Sequence, residues 1–186
     1  MSGSVVTAST VPCFYTMPET VAEKMDQQMN DKWILREQKE GRAEFKSMMD
    51  DGYSVTEILN LPSPKEILSG KMTLPAYILF GREEITYTKE EMILHLKSVI
   101  GHLRNHKNYH VILASDRPPN ELVYLKEDVC AALMKNDFPG NAFIINEPRM
   151  VASFWEYLDE LQENRKGKAK TIERLRAYIK TLSADD

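Results

Sequence analysis

Four short apolar segments in the second half of the chain constrain its fold more than any other feature. They are YHVILAS from Tyr109, LVYLKED from Leu122, VCAALMKND from Val129 and NAFIINE from Asn141. Prolines, asparagines and a glycine separate them, as expected of turns. Connections this short cannot hold the crossover of a dozen or more residues that parallel strands need. We therefore predict a sheet of roughly four strands, mainly antiparallel.

Helical patterns lie on both sides of these segments. Apolar residues recur every three or four positions between Pro18 and Gly52, which predicts a long helix with Gly52 just after its end. A second long helix follows Pro148, and Gly167 is expected to kink or split it. The predicted class is α+β: N-terminal helices, the antiparallel sheet and a long C-terminal helix.

Two sequence motifs place further helix starts. Ser63 with Glu66, and Thr88 with Glu91, have the spacing of capping boxes. Pro64 suits the first position of a short helix that ends before Gly70. A short strand is expected at residues 85–87. We predict a disordered N-terminus at residues 1–16, a helical segment at 17–60, and an α+β regulatory domain at 61–186 that forms one compact unit with the helical segment.

Composition narrows the class of protein. The 186 residues carry a net charge of −4, which argues against a surface built mainly to hold nucleic acid. No apolar run approaches the roughly 18 residues of a membrane span. The two cysteines lie far apart, so a disulfide framework is not expected. These features predict a cytoplasmic protein without membrane contact.

All four histidines fall between residues 95 and 110. On a helix, Glu91, His95, His102 and His106 share one stripe, as metal-binding side chains would. The stripe borders the apolar face, where half-buried side chains are also common. We favour packing and predict no metal, no cofactor and no catalytic residue. A small metal-dependent enzyme that uses this stripe is the alternative.

Two segments resemble sequences that bind nucleic acids in other proteins. SVTEIL followed by SPKEIL imitates a helix-turn-helix motif, but the second helix has too few turns to read a groove. The basic run at residues 165–176 has the composition of the solvated face of a terminal helix. Motifs of nucleophilic hydrolases, phosphate-binding loops and CxxC sites are absent from the sequence.

The segment from Asn146 to Tyr157 joins a strand to a helix. Asn146 and Glu147 stand at the junction, and aromatic residues follow within three turns. Polar groups beside aromatic rings are typical of small-molecule pockets. A helix cap followed by core aromatics is the other interpretation.

Four runs resemble the C-terminal region of helix-turn-helix transcriptional regulators of Gram-positive bacteria. They are LNLPSPKEILSGKM, YTKEEMILHLKSVI, NYHVILAS and AFIINEPRMVASFWEYL, within residues 40–160. The resembled motifs fall on Thr88, Glu91, His95, Leu96, Asn146, Glu147, Pro148, Phe154, Trp155 and Tyr157.

The resemblance implies a regulatory or sensing domain that is not an enzyme, although the DNA-binding domain of such regulators does not precede it here. We expect a small-molecule effector or a protein partner, a homodimer, and contact with DNA only through a missing or separate DNA-binding domain. The predicted effector site comprises His95, Tyr109, Asn146, Glu147, Trp155 and Tyr157.

Overall fold

Strands and helices alternate in the first half of the chain, and three strands and two helices follow. The computed structural model describes residues 4–29, 33–70, 87–114, 121–135, 141–163 and 167–184. The strands are β1 (Ser4–Ser9), β2 (Ser54–Leu59), β3 (Tyr109–Leu113), β4 (Glu121–Lys126), β5 (Cys130–Lys135) and β6 (Asn141–Ile145). The helices are α1 (Glu19–Met29), α2 (Trp33–Asp50), α3 (Pro64–Leu68), α4 (Lys89–Asn105), α5 (Pro148–Glu163) and α6 (Lys168–Ser183), with a 3-10 turn at Phe14–Thr16.

The described strands form one mixed sheet in the order β3-β2-β1-β4-β5-β6. β1, β2 and β3 run parallel to one another. β4 pairs with β1 antiparallel, and β5 and β6 continue antiparallel beyond it. The expected mixture of helices and sheet is confirmed. The antiparallel pairing of β4 with β5 and of β5 with β6 is confirmed as well. The prediction of four mainly antiparallel strands is wrong, because a parallel half was missed.

The missed strands lie in segments to which other structures were assigned. Residues 4–9, expected to be disordered, form β1 at the centre of the sheet, and Val5 is completely buried. SVTEIL, expected within the helical segment, forms β2. A central strand is covered on both faces, so its sequence shows no alternation of apolar and polar residues that would identify it. β-Branched residues also suit a strand better than a helix.

Most helix boundaries follow the sequence signals. Both capping boxes are present, at Ser63–Glu66 and Thr88–Glu91. Gly52 and Gly70 follow their helices with positive φ values of 79° and 64°. Gly167 is the N-cap of α6 and separates it from α5, as expected. The region 18–50, expected as one helix, contains α1 and α2. The strand expected at 85–87 falls largely outside the described residues, since their description resumes at Tyr87.

Two apolar layers cover the two faces of the sheet. Side chains from α1, α2, α4 and α6 pack in the larger core with Val5, Val55 and Val111. α5 packs in the smaller core through Val151, with Val6 on the opposite face. Both crossovers of the parallel half, β1 to β2 and β2 to β3, step in the same direction along the sheet. Right-handed crossovers with that order place their helices on one face, which accounts for the larger core. No described helix is both long and apolar enough to span a bilayer.

Candidate functional site

A group of buried polar side chains lies within the larger core, where four helices cover the parallel strands. Strand register places Glu57 of β2 beside Thr7 of β1 and Val111 of β3. The other members come from the segment 13–16 after β1, from Tyr87 just before α4, from α4 itself and from Tyr109 of β3. We call the following residues the buried polar cluster: Thr7, Cys13, Thr16, Glu57, Tyr87, His95 and Tyr109.

Glu57 is the centre of one half of this cluster. Its carboxyl is completely buried and accepts two hydrogen bonds. The Tyr109 hydroxyl donates to Oε1 at 2.7 Å, and the Cys13 backbone N–H donates to Oε2 at 3.0 Å. Burial raises the pKa of Glu57, while these two donors oppose that rise. Both donors are neutral, so hydrogen bonds rather than ion pairs compensate the desolvation of this group.

His95 is the centre of the other half and is also completely buried. Its Nε2 lies 3.0 Å from Thr16 Oγ1 and 3.2 Å from the Cys13 carbonyl oxygen, which can only accept. Nε2 therefore carries the proton. Nδ1 is left to accept the hydrogen bond of the Tyr87 hydroxyl at 2.5 Å. Burial lowers the pKa of His95 to about 3, so the ring is neutral at pH 7.

Cys13 joins the two halves through its backbone. Its N–H binds Glu57 and its carbonyl oxygen accepts from Thr16 and His95. The thiol donates to Thr7 Oγ1 at 3.1 Å. Burial, with the charge of Glu57 beside it, raises the pKa of this thiol well above its ordinary value. A thiol with a raised pKa is a poor nucleophile, because the thiolate is the reactive form.

The histidine stripe does not act as one unit. Glu91 is buried and accepts from the Thr88 N–H in the cap of α4, at 2.8 Å. His95 belongs to the buried polar cluster. His102 and His106 stack on each other and contact the Phe45 ring edge-on, with ring centroids 5.1 and 5.4 Å from it. Burial, followed by the charges of His106 and Arg42, lowers the pKa of His102 to about 4. Within the described residues, no three His, Cys, Asp or Glu side chains are placed to hold a metal ion.

The six residues of the predicted effector site fall into two groups. His95 and Tyr109 are brought together in the buried polar cluster, on the face covered by four helices. The other four lie around α5, which packs on the opposite face. Glu147 caps α5, because its Oε2 accepts from the Met150 N–H at 2.8 Å. Trp155 is half-buried in the smaller core. The interpretation of this segment as a helix cap followed by core aromatics therefore agrees with the positions of Glu147 and Trp155.

β6 and α5 carry several exposed apolar side chains, of which the sequence analysis singled out only Tyr157. Their exposed fractions are 60% for Phe143, 78% for Ile144, 49% for Met150 and 55% for Tyr157. Asn146 and Glu147 connect β6 to α5 and are exposed as well. We call Phe143, Asn146, Glu147, Met150 and Tyr157 the β6–α5 surface; Ile144 lies on the other face of β6, because successive side chains of a strand alternate. Phe143 and Ile144 have one sequence signal, their position in the chain: the last strand of a meander lies at an edge unless another strand covers it.

The sequence analysis also missed Glu57, although a single carboxyl inside the apolar run SVTEIL is a signal for a buried polar group.

A scan against protein-family models and searches of curated proteins and solved structures found no match to this chain.

Proposed function

We propose that this chain is a non-enzymatic regulatory domain that binds a small-molecule effector or a protein partner and forms a homodimer. The proposal takes its class from the resemblance to bacterial transcriptional regulators. The observation that carries it is the contrast between two regions. Glu57, His95 and Tyr109 of the buried polar cluster lie in the core, whereas the residues of the β6–α5 surface are exposed.

Burial of the polar cluster argues against catalysis there. Glu57, His95 and Tyr109 are each completely buried, so a substrate could not reach them without unpacking the helices. Each of these side chains also has a hydrogen-bond partner within the protein. A catalytic acid or base must instead lie within hydrogen-bond reach of the substrate. A positioning and stabilising role fits these contacts better.

The composition of the β6–α5 surface favours binding. Phe143 of β6 and Met150 and Tyr157 of α5 are exposed apolar side chains, and the polar residues Asn146 and Glu147 join these two elements. Contiguous exposed apolar residues with polar neighbours mark interaction sites on many proteins. Trp155 is half-buried on the same helix, α5, so we expect its fluorescence to change when a ligand binds to this surface.

Action on DNA through a separate DNA-binding domain is part of the same proposal. The segment that imitates a helix-turn-helix motif consists of strand β2 and the five-residue helix α3. A recognition element needs two helices, the second of them entering the groove. We propose a cytoplasmic location, the usual one for regulators of this type.

Tryptophan fluorescence offers a direct test. Trp33→Phe leaves Trp155 as the single tryptophan, and Trp155→Phe, which keeps Trp33, is the matched control. Each variant would be titrated with separate mixtures of amino acids, nucleotides, sugar phosphates and organic acids. We expect one class of compound to change Trp155 emission and raise the melting temperature, with no response in the control.

Mass spectrometry of the same mixtures separates binding from catalysis. We expect every compound to be recovered unchanged after long incubation. Conversion of any compound at a rate proportional to protein concentration would refute the non-enzymatic assignment. A chain that binds no compound and no protein, and is monomeric at all concentrations, would refute the proposal as a whole.

A further inference from the structure

Strand β6 forms one edge of the described sheet and pairs only with β5. Ile144 is 78% exposed and Phe143 is 60% exposed, so neither face of this strand is covered at its centre. The backbone groups on the outer side of an edge strand have no ladder partner, which makes them a template for another strand.

The sequence of β6 lacks the features that keep edges apart. Its five residues, NAFII, contain no charge and no proline. Natural edge strands are usually protected by lysine, proline, bulges or inward-pointing charges. An edge that is uncharged, apolar and exposed is suited to pairing.

We propose that β6 pairs antiparallel with β6 of a second copy of this chain, joining two six-stranded sheets across a two-fold axis at Phe143. The inference rests on the homodimer in the proposed function and assigns its interface.

The register follows from symmetry. A two-fold axis perpendicular to the sheet keeps each residue on the same face in both copies. Directly paired residues share a face, so the paired positions must both be odd or both be even. The two-fold axis can therefore pass only through a residue position of β6. An axis at Phe143 pairs all five residues from Asn141 to Ile145 with the partner strand, and an axis at any other residue pairs fewer.

This register also matches side-chain sizes. Ile144 lies opposite Ala142 of the partner subunit, so a large side chain meets a small one, twice by symmetry. The two Phe143 rings face each other on the opposite face, where aromatic cross-strand pairs stabilise a sheet. Phe143 is on the side of the sheet that carries the smaller core. The register shows this, because Phe143 pairs with Leu133, Leu133 with Val123, and Val123 with Ala8 of that core. The strand is therefore complementary to itself, which favours a second copy over an unrelated strand.

Sedimentation velocity over a range of concentrations tests the interface. Ile144→Lys places a charge on each edge, and we expect it to raise the dissociation constant of the dimer at least about tenfold. Val129→Lys is the matched control, since Val129 is 52% exposed but lies in the turn between β4 and β5. It should leave the dimer unchanged. Circular dichroism would confirm that both variants are folded.

Oxidative cross-linking tests the register. Phe143→Cys should form an intermolecular disulfide, because its Cα atoms would be about 4.5–5.5 Å apart. Ala142→Cys should not, since its two copies would be diagonal neighbours about 7–8 Å apart. Peptide mapping would show that position 143 is linked, rather than Cys13 or Cys130.

The outcomes separate the two proposals. A wild-type dimer that Ile144→Lys leaves intact would overturn this interface and leave dimerisation standing. Stronger cross-linking at 142 than at 143 would overturn the register. A wild-type monomer at all concentrations would overturn both the interface and the homodimer, while effector binding would still be judged by Trp155 fluorescence.

Discussion

The Tyr109 hydroxyl donates a 2.7 Å hydrogen bond to the Glu57 carboxyl, and both side chains are completely buried. Neighbouring parallel strands hold the two residues on one face of the sheet. Glu57 is thus stabilised by neutral donors, Tyr109 and the Cys13 N–H. The stability of the folded protein depends strongly on each donor to Glu57, because a buried carboxyl oxygen that loses its donor keeps the full free-energy cost of its desolvation.

Tyr109→Phe should therefore destabilise the protein by about 1–3 kcal/mol, since it leaves Glu57 with one donor fewer. Chemical denaturation at pH 7 measures the free energy of unfolding. Tyr178→Phe is the matched control: Tyr178 donates to the Pro62 carbonyl oxygen at 2.7 Å and is only partly buried. Its loss should cost about 0.5–1.5 kcal/mol, the usual net value of a neutral hydrogen bond. Equal losses in both variants would contradict the special role of the carboxyl.

Glu57→Gln should change how stability depends on pH. Burial raises the pKa of Glu57 in the folded protein, so the folded state keeps its proton to higher pH than the unfolded state. This contribution to stability is fully present below the unfolded pKa, roughly 4.3, and is lost as pH rises through the folded pKa. Glutamine does not titrate.

The free energy of unfolding of Glu57→Gln, relative to the wild type, should accordingly rise over the pH range from about 4.3 up through the folded pKa of Glu57. Urea denaturation at several pH values within this range measures it. Parallel pH profiles for the two proteins would show that Glu57 has the same pKa folded and unfolded.

His95 should remain neutral far into the acid range, with its proton on Nε2. Burial lowers its pKa to about 3 in the folded protein, against roughly 6.5 in an unfolded chain. The stability it contributes is present above the unfolded pKa and is lost as pH falls from about 6.5 towards 3. His95→Gln should weaken that acid destabilisation.

Nitrogen NMR of the imidazole rings checks both statements about His95, and the His95→Gln spectrum assigns its signals. A titration midpoint near 6.5, or a proton on Nδ1, would contradict the hydrogen bonds to Cys13 and Thr16.

The sequence predicted the local elements better than the sheet. Capping boxes at Ser63 and Thr88 and the antiparallel pairing of β4 with β5 and of β5 with β6 depend on nearby residues, so they could be recognised. β1 could not, because its strand partners β2 and β4 lie about 50 and 120 residues away along the chain, a separation that no local pattern reports. Burial on both faces also removed the alternation that identifies a strand.

The same limit applies to the sites. His95 was singled out from its sequence neighbourhood, but its partners Thr16 and Cys13 come from about 80 positions away. Asn146 and Glu147 were recognised as a strand–helix junction, and Glu147 does cap α5. The exposure of Phe143 and Ile144 depends on which strand ends the sheet, and this follows only from the complete strand order.

Thr88→Ala should destabilise the whole protein by about 0.5–2 kcal/mol, the usual cost of losing an N-cap. Thr88 accepts from the Glu91 N–H at 3.2 Å, and the helix it caps, α4, buries Met92, Leu96 and Val99 in the larger core. The matched control is Ser63→Ala, which removes the same type of cap from α3, a helix of only five residues. Its cost should be smaller, because fraying of a short helix disturbs little of the core. Chemical denaturation measures both changes, and amide exchange at Glu91 and Glu66 locates them. A loss at Ser63 as large as that at Thr88 would mean that α3 and α4 support the core equally.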